Sequence, residues 1–148
     1  GPITGLTYAE ATERRMYAAK KLAAYGISGY SPLRTKGYLA NEKKIGDCYE
    51  QYALSSQKGI TERDRYDCRT SDVVLFDFVN CTVASVGSCI ELGWADAYRN
   101  PIVTVMDLAT DEALRTNPHD HAMVRAVSGY IVPTLDEGLE IVRAILLP

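Results

Sequence analysis

Apolar and polar residues alternate along the chain in a pattern that predicts helices and strands in turn. Apolar positions recur at helical spacing from Thr7 to about Tyr25, where Thr7 and Glu10 form a capping box and Gly26 follows the end. The continuous apolar run 73–79 is typical of a buried parallel strand. Shorter runs predict strands at 27–33, 102–106 and 130–132. Further helices are predicted. One starts near Gly59 with Thr61 as its cap, and a second contains Glu91 and ends at Asn100. A third covers 111–127 with a break at Asn117-Pro118, and the last runs from Thr134 onward.

This alternation indicates an α/β fold, in which helices cover both faces of a parallel sheet. The chain has 148 residues and no linker, internal repeat or low-complexity segment, so we expect a single domain over residues 1–148. A glycine turn such as Gly1–Gly5 normally follows the first strand of such a sheet, whereas here the chain starts at the turn. The polar segment 34–56 is a long irregular connection, which in compact domains is often functional.

Composition narrows the range of partners. A net charge of -3 leaves no broad basic surface, so we expect no nucleic-acid polymer as a partner. No apolar run approaches the about 18 residues of a transmembrane helix, so we expect no membrane span. The four cysteines are irregularly spaced and no signal peptide is visible, which together indicate reduced thiols and a cytoplasmic protein.

Residues 83–95 combine small side chains with one carboxylate at the passage from a strand to a helix. Ligands of open α/β sheets bind at the carboxyl ends of the strands, a crevice that Glu91 would face. The backbone N–H groups and hydroxyls of Ser85, Gly87 and Ser88 could bind an anion at the start of the helix. Glu91 could act as a nucleophile or as a general acid or base, and the alternative is a solvated charge on a helix surface.

Other polar residues near the strands are also candidates. Asp77 lies inside the apolar strand, where a buried carboxylate needs a partner or a role, and Asp64 lies on the helix that leads into it. The cluster His119-Asp120-His121 raises the hypothesis of a metal site. Two histidines with no third ligand in reach are too few for such a site, so we expect no metal.

Several motifs follow one another along nearly the whole chain. They are Gly1-Pro2-Ile3-Thr4-Gly5, Glu62-Arg63-Asp64, Ser71-Asp72-Val73-Val74-Leu75, Gly87-x-x-x-Glu91-Leu92-Gly93-x-Ala95 and Asn100-Pro101-Ile102. This ordered set resembles the nucleoside 2-deoxyribosyltransferase family, including the related 2′-deoxynucleoside 5′-monophosphate N-hydrolases. The resemblance implies a Rossmann-like sheet of the flavodoxin type and cleavage of the N-glycosidic bond of 2′-deoxynucleosides without a cofactor.

The resemblance also implies roles for individual residues. Glu91 matches the family's nucleophile, which holds the deoxyribosyl group as a covalent ester until water or a second base takes it. Asp64 matches the carboxylate that handles the leaving base, as its proton donor. Further substrate-binding candidates are Gly1, Ile3 and Gly5 of the opening turn, with Asp77, Gly87 and Ser88.

Two branches of this family differ six residues before the nucleophile. Transferases that act on free nucleosides have an acid there, whereas the monophosphate N-hydrolases have a serine that binds phosphate. This chain has Ser85, whose neutral hydroxyl suits a phosphate that a carboxylate would repel. The stretch His121–Arg125 is similar to the one in which the hydrolases use a serine to reach the neighbouring subunit's phosphate. Here a protonated His121 could do so, assisted by Arg125 or Arg34.

The leading hypothesis is therefore an enzyme that cleaves a 2′-deoxynucleoside or its 5′-monophosphate through Glu91, with a slight preference for water as acceptor and for the monophosphate. The alternative is a non-catalytic nucleotide-sensing module on the same fold. Candidates for stacking on the base are Trp94, Tyr8, Tyr30 and Phe78. We expect a homodimer or higher homo-oligomer with a shared active site, from the resemblance and from the apolar residues Trp94, Tyr98 and Met123.

Overall fold

The structure, a computed structural model, describes residues 1–107, 109 and 115–148. The chain forms two compact units, here called the helical unit (Ile3–Asp67) and the sheet unit (Gly1–Pro2 with Cys68–Pro148). Its elements in chain order are α1 (Tyr8–Ala23), α2 (Gln57–Thr70), β1 (Val74–Asp77), α3 (Val86–Ala97), β2 (Ile102–Val105), α4 (Ala122–Val127), β3 (Tyr130–Val132) and α5 (Leu135–Leu146). Two short 3₁₀ helices, Gly37–Asn41 and Ala53–Ser55, lie between α1 and α2 in the sequence.

The sheet unit is built on three parallel strands. β1 pairs with β2 and β2 pairs with β3, which gives the strand order β1-β2-β3 among the described residues. The strands predicted at 73–79, 102–106 and 130–132 are confirmed. Every residue of β2 is buried, which explains why this segment is apolar on both faces instead of alternating.

Helices cover both faces of this sheet, as the sequence predicts. Leu92 of α3 packs in one buried cluster with Phe76 of β1. α5 approaches the sheet so closely that a Cβ on Gly138 would lie 3.3 Å from Cδ1 of Leu75 and 2.7 Å from Cγ2 of Val105. Adjacent residues of a strand point to opposite faces, so Phe76 and Leu75 place α3 and α5 on opposite sides. The architecture is an α/β, Rossmann-like fold.

In the helical unit, α1 begins at the predicted capping box. The Glu10 N–H donates to Thr7 Oγ1 over 3.2 Å, and the Thr7 N–H donates to the Glu10 carboxylate over 2.8 Å. Gly26 follows the helix in the left-handed conformation with a φ of 74°, which ends the helix as expected. The apolar Met16 is 68% exposed, and the buried residues of α1 are Ala11 and Leu22.

The strand predicted at 27–33 is wrong. Residues 28–30 are exposed, and this segment pairs with none of the described strands. Its backbone instead turns, because the Arg34 N–H donates to the Ser31 carbonyl over 3.0 Å and the Leu33 N–H to Ser31 Oγ over 3.1 Å. Pro32 also lacks the N–H that a strand ladder requires.

Two helix boundaries differ from the prediction. α2 starts at Gln57, so Thr61 is not its cap but lies one turn inside, where its hydroxyl donates to the Gln57 carbonyl over 2.8 Å. Of the helix predicted over 111–127, residues 111–114 lie outside the described residues, and the described remainder is helical only in α4. No helix in the described part of the chain is long and apolar enough to cross a membrane.

Candidate active site

Glu91 lies in the second turn of α3, which follows the carboxyl end of β1 across one loop. α3 is held on the sheet by the buried side chains of Leu92 and Ala95. Glu91 itself is half-buried. The Glu91 carbonyl also accepts a hydrogen bond from the Cys68 thiol, with 3.6 Å between Sγ and oxygen. The helix that presents the carboxylate is thus anchored on two sides within the sheet unit.

The N-terminus of α3 is an ordered polar turn. Ser85 is its N-cap, and its Oγ accepts from the Ser88 N–H over 3.3 Å and donates to Ser88 Oγ over 3.0 Å. Gly87 is exposed in the same turn, and beyond its chain neighbours and the nearby backbone of α3 no described atom lies within 4 Å of the position its Cβ would take. Free N–H groups and the helix dipole favour negative charge at such a terminus. The structure thus brings Ser85, Gly87 and Ser88 together.

Gly1 and Asp77 meet at the carboxyl end of β1. A Cβ on Gly1 would lie 2.2 Å from the Asp77 carbonyl oxygen, so only glycine allows this close approach. Asp77 is half-buried, and its Oδ1 accepts from the Val79 N–H over 3.3 Å, which gives this carboxylate a local structural partner. Gly1, Asp77 and the start of α3 are therefore all features of the carboxyl side of β1.

Ile3 and Gly5 belong to the helical unit. Ile3 packs against a core cluster of that unit that includes Leu33 and Leu39. Gly5 has a φ of 85° and its N–H donates to the Ile45 carbonyl over 2.7 Å. Glycine is required at this position because other residues rarely adopt that conformation.

Asp64 lies on α2 within the helical unit and is largely buried, with 12% of its side chain exposed. Burial raises the pKa of Asp64, against the opposing charges of Arg63 and Lys36, which lower it. Arg63 is its nearest cation, with Nη2 and Oδ1 3.3 Å apart. Asp64 is therefore a carboxyl group that retains its proton to a higher pH than an exposed aspartate, as a proton donor requires.

The two arginines expected to assist phosphate binding both form bidentate ion pairs. In the helical unit, Arg34 pairs with Asp67 through two contacts of 2.7 Å. In the sheet unit, Arg125 pairs with Asp120, whose side chain is 1% exposed. Both guanidinium groups therefore have an acidic partner within their own unit.

His121 caps α4 through its imidazole. Its Nδ1 accepts from the Met123 N–H over 3.2 Å, so that the neutral ring carries its proton on Nε2. The residue is exposed, and this Nε2–H is a donor that an anion could use without protonation of the ring. Among the described residues, no group of three or more potential ligands converges on a metal position.

His119 contacts the start of α3, a contact that the sequence did not indicate. It is 1% exposed, and its ring stacks on Phe78 with 3.9 Å between centroids and 6° between planes. Its Nε2 accepts from the Ser85 N–H over 2.8 Å. The sequence offered only its place in a His-Asp-His cluster, and no local signal points to a partner 34 residues away. Phe78 is fully buried in this stack, so its candidacy for stacking on a nucleobase is wrong.

Comparison with models of known protein families identifies the family of this chain. The family model described as Nucleoside 2-deoxyribosyltransferase matches residues 1–134. The chain belongs to the nucleoside 2-deoxyribosyltransferase family. A search among curated proteins found no match. The matched range contains Glu91, Asp64, Ser85 and His121. The nucleoside 2-deoxyribosyltransferase family comprises glycosylases and transferases.

Proposed function

We propose that the protein cleaves the N-glycosidic bond of a 2′-deoxynucleoside or its 5′-monophosphate, with Glu91 as the nucleophile. The observation that carries this proposal is a half-buried carboxylate on the helix that follows the carboxyl end of β1, in a member of this family. That edge of an open α/β sheet is where such folds bind ligands. The competing candidate is a nucleotide-sensing module on the same fold.

The proposed reaction consists of two displacements. A Glu91 carboxylate oxygen bonds to C1′ of the sugar while the bond from C1′ to the base nitrogen breaks, and the Asp64 carboxyl transfers its proton to the leaving base. In the second step an acceptor attacks C1′, the ester bond to Glu91 breaks, and the proton of the acceptor passes to the Asp64 carboxylate. Two inversions at C1′ give net retention, as in retaining glycosidases.

Water is the favoured acceptor and the 5′-monophosphate the favoured substrate. Ser85 supports this choice, because its hydroxyl stands at the start of α3, where N–H groups and the helix dipole favour an anion. His121 is exposed, and its Nε2–H is a second donor suited to phosphate. Transfer to a second nucleobase is the alternative outcome of the same ester intermediate.

The decisive assay incubates the protein with each 2′-deoxynucleoside and each 5′-monophosphate, with and without a second free base, and separates the products by chromatography. Free base from monophosphates alone supports the N-hydrolase. A new nucleoside that forms only when base is added supports the transferase. No turnover of any substrate, together with tight nucleotide binding, contradicts catalysis and favours the sensing module.

Substitution Ser85→Asp should shift the preference from monophosphate to nucleoside. Aspartate is as good an N-cap as serine, so α3 should still form, but its charge repels the phosphate. Loss of a hydrogen bond to a charged group is worth about 1.5–3 kcal/mol, so kcat/KM for the monophosphate should fall about 10- to 100-fold. The corresponding value for the nucleoside should change little.

The matched control is Ser85→Ala, which removes the hydroxyl without adding a charge. It should lower the stability by about 1 kcal/mol through loss of the cap and reduce monophosphate cleavage less than Ser85→Asp does. Equal effects of Ser85→Asp on both substrate classes would contradict a phosphate site at this position.

We further propose a homodimer that shares its active sites. Large apolar side chains are exposed on the sheet unit around the start of α3 and of α4, and Met123, which is 73% exposed, lies next to the phosphate-binding candidate His121. Sedimentation velocity at micromolar concentrations should therefore give a dimer or a multiple of it. A strict monomer that is fully active would contradict a shared site.

A further inference from the structure

The His119 imidazole is held in one orientation by contacts from three directions. Its face lies on the buried ring of Phe78, 3.9 Å from centroid to centroid. Its backbone N–H donates to Asn117 Oδ1 over 3.0 Å, and the Asn117 amide donates in turn to the Phe78 carbonyl over 2.8 Å. The next residue, Asp120, is tied to Arg125 of α4. The loop that carries the ring is thus fixed to the end of β1 and to α4.

The contact with Ser85 determines the protonation state of this ring. A nitrogen that accepts from a backbone N–H carries no proton, so Nε2 is bare and the single proton of the neutral imidazole is on Nδ1. A charged ring would point an Nε2–H at the Ser85 N–H and lose the bond. Burial also lowers the pKa of His119, which favours the same neutral form.

The remaining ring nitrogen argues against a role of this histidine in packing alone. Nδ1 is buried and has no hydrogen-bond partner among the described residues. A buried unpaired donor costs about 1–3 kcal/mol, so a phenylalanine stacked on Phe78 would serve the core at least as well. What phenylalanine could not supply is the acceptor for the Ser85 N–H.

We propose that His119 is a positioning residue whose neutral imidazole holds Ser85, and through Ser85 the first turns of α3, in the place that aligns Glu91. The inference rests on the proposed function of Glu91. Ser85 is the point where the loop from β1 becomes α3, since its Oγ caps Ser88 and its carbonyl accepts from the Cys89 N–H over 3.0 Å. A shift of Ser85 therefore moves the helix start relative to the end of β1.

Two substitutions separate positioning from packing. His119→Phe keeps an aromatic ring on Phe78 but removes the acceptor, whereas His119→Gln removes the stack but can place its Oε1 close to the position of Nε2. A displacement of about 1 Å in a catalytic group can reduce the rate about 100-fold, so His119→Phe should lower kcat about 10- to 100-fold. KM for a monophosphate should rise as well, because Ser85 is the proposed phosphate contact. His119→Gln should recover most of kcat, although it is the less well packed variant.

A readout that needs no substrate accompanies the kinetics. In the wild type, ¹⁵N NMR of the imidazole should show the Nδ1–H tautomer at neutral pH, and the Ser85 amide should exchange at least about tenfold faster with solvent in His119→Phe. An Nε2–H tautomer, unchanged Ser85 exchange, or equal kcat in His119→Phe and wild type would each overturn the inference. A wild type that turns over no substrate would instead contradict the proposed function, and the tautomer and the Ser85 exchange would then decide on His119 alone.

Discussion

Replacement of Glu91 by glutamine is expected to lower turnover on the order of 10⁴-fold or more while the fold stays intact. The amide has the shape of the carboxylate but no charge, so it cannot form the ester with C1′ that both displacements require. Glu91 is half-buried and α3 is held by its apolar neighbours, so thermal unfolding should change little. Nucleotide affinity should also persist, because ground-state contacts do not depend on the nucleophile.

The measurement combines steady-state kinetics with trapping of the intermediate. Acid quench of the wild type during turnover, followed by mass spectrometry, should detect the protein plus one deoxyribosyl or phosphodeoxyribosyl group on the peptide that contains Glu91. Glu91→Gln should show no such adduct. The control is Glu62→Gln on α2, since Glu62 is a half-exposed surface residue paired with Lys58 and should leave the rate unchanged. Normal turnover by Glu91→Gln would refute the covalent mechanism.

Replacement of Asp64 by asparagine should lower kcat for natural substrates about 10²- to 10⁴-fold, the range for loss of a general acid. An unprotonated nucleobase is a poor leaving group, and asparagine has no acidic proton to donate to it. A deoxyriboside with a nitrophenolate leaving group needs no such proton, so Asp64→Asn should cleave it nearly as fast as the wild type. An equal loss on both substrates would assign Asp64 to sugar binding instead of proton transfer.

The pH dependence of activity in the wild type and in Asp64→Asn follows from the burial of Asp64. Because desolvation raises the pKa of Asp64, the active protonated form is lost as the pH rises through that pKa, which produces a basic limb in the activity profile of the wild type. Asp64→Asn should lack this limb. In the folded state the raised pKa disfavours the charged form, so above this pKa the neutral asparagine should leave stability unchanged or increase it. The control is Asp72→Asn, a change at an exposed aspartate that should retain the limb.

The helices that begin at a capping box could be located from the sequence, because a cap is a contact between residues three positions apart. This holds for Thr7 with Glu10 in α1 and for Thr134 with Glu137 in α5. The run 73–79 was likewise identifiable as a strand because a strand covered on both faces is apolar at most of its positions. The segment 27–33 was mistaken for a strand because pairing depends on a neighbour that local composition does not report.

The candidate site likewise has some features that the sequence predicts and others that only the fold produces. The sequence by itself determined the family and predicted roles for Glu91, Asp64 and Ser85, because motifs are defined by residue types in order along the chain. Only the tertiary structure decided that burial raises the pKa of Asp64 and that His119 accepts from Ser85. Desolvation and long-range hydrogen bonds depend on which groups the fold brings within a few ångströms. That proximity depends on how whole helices and strands pack, so it cannot be predicted from any short stretch of residues.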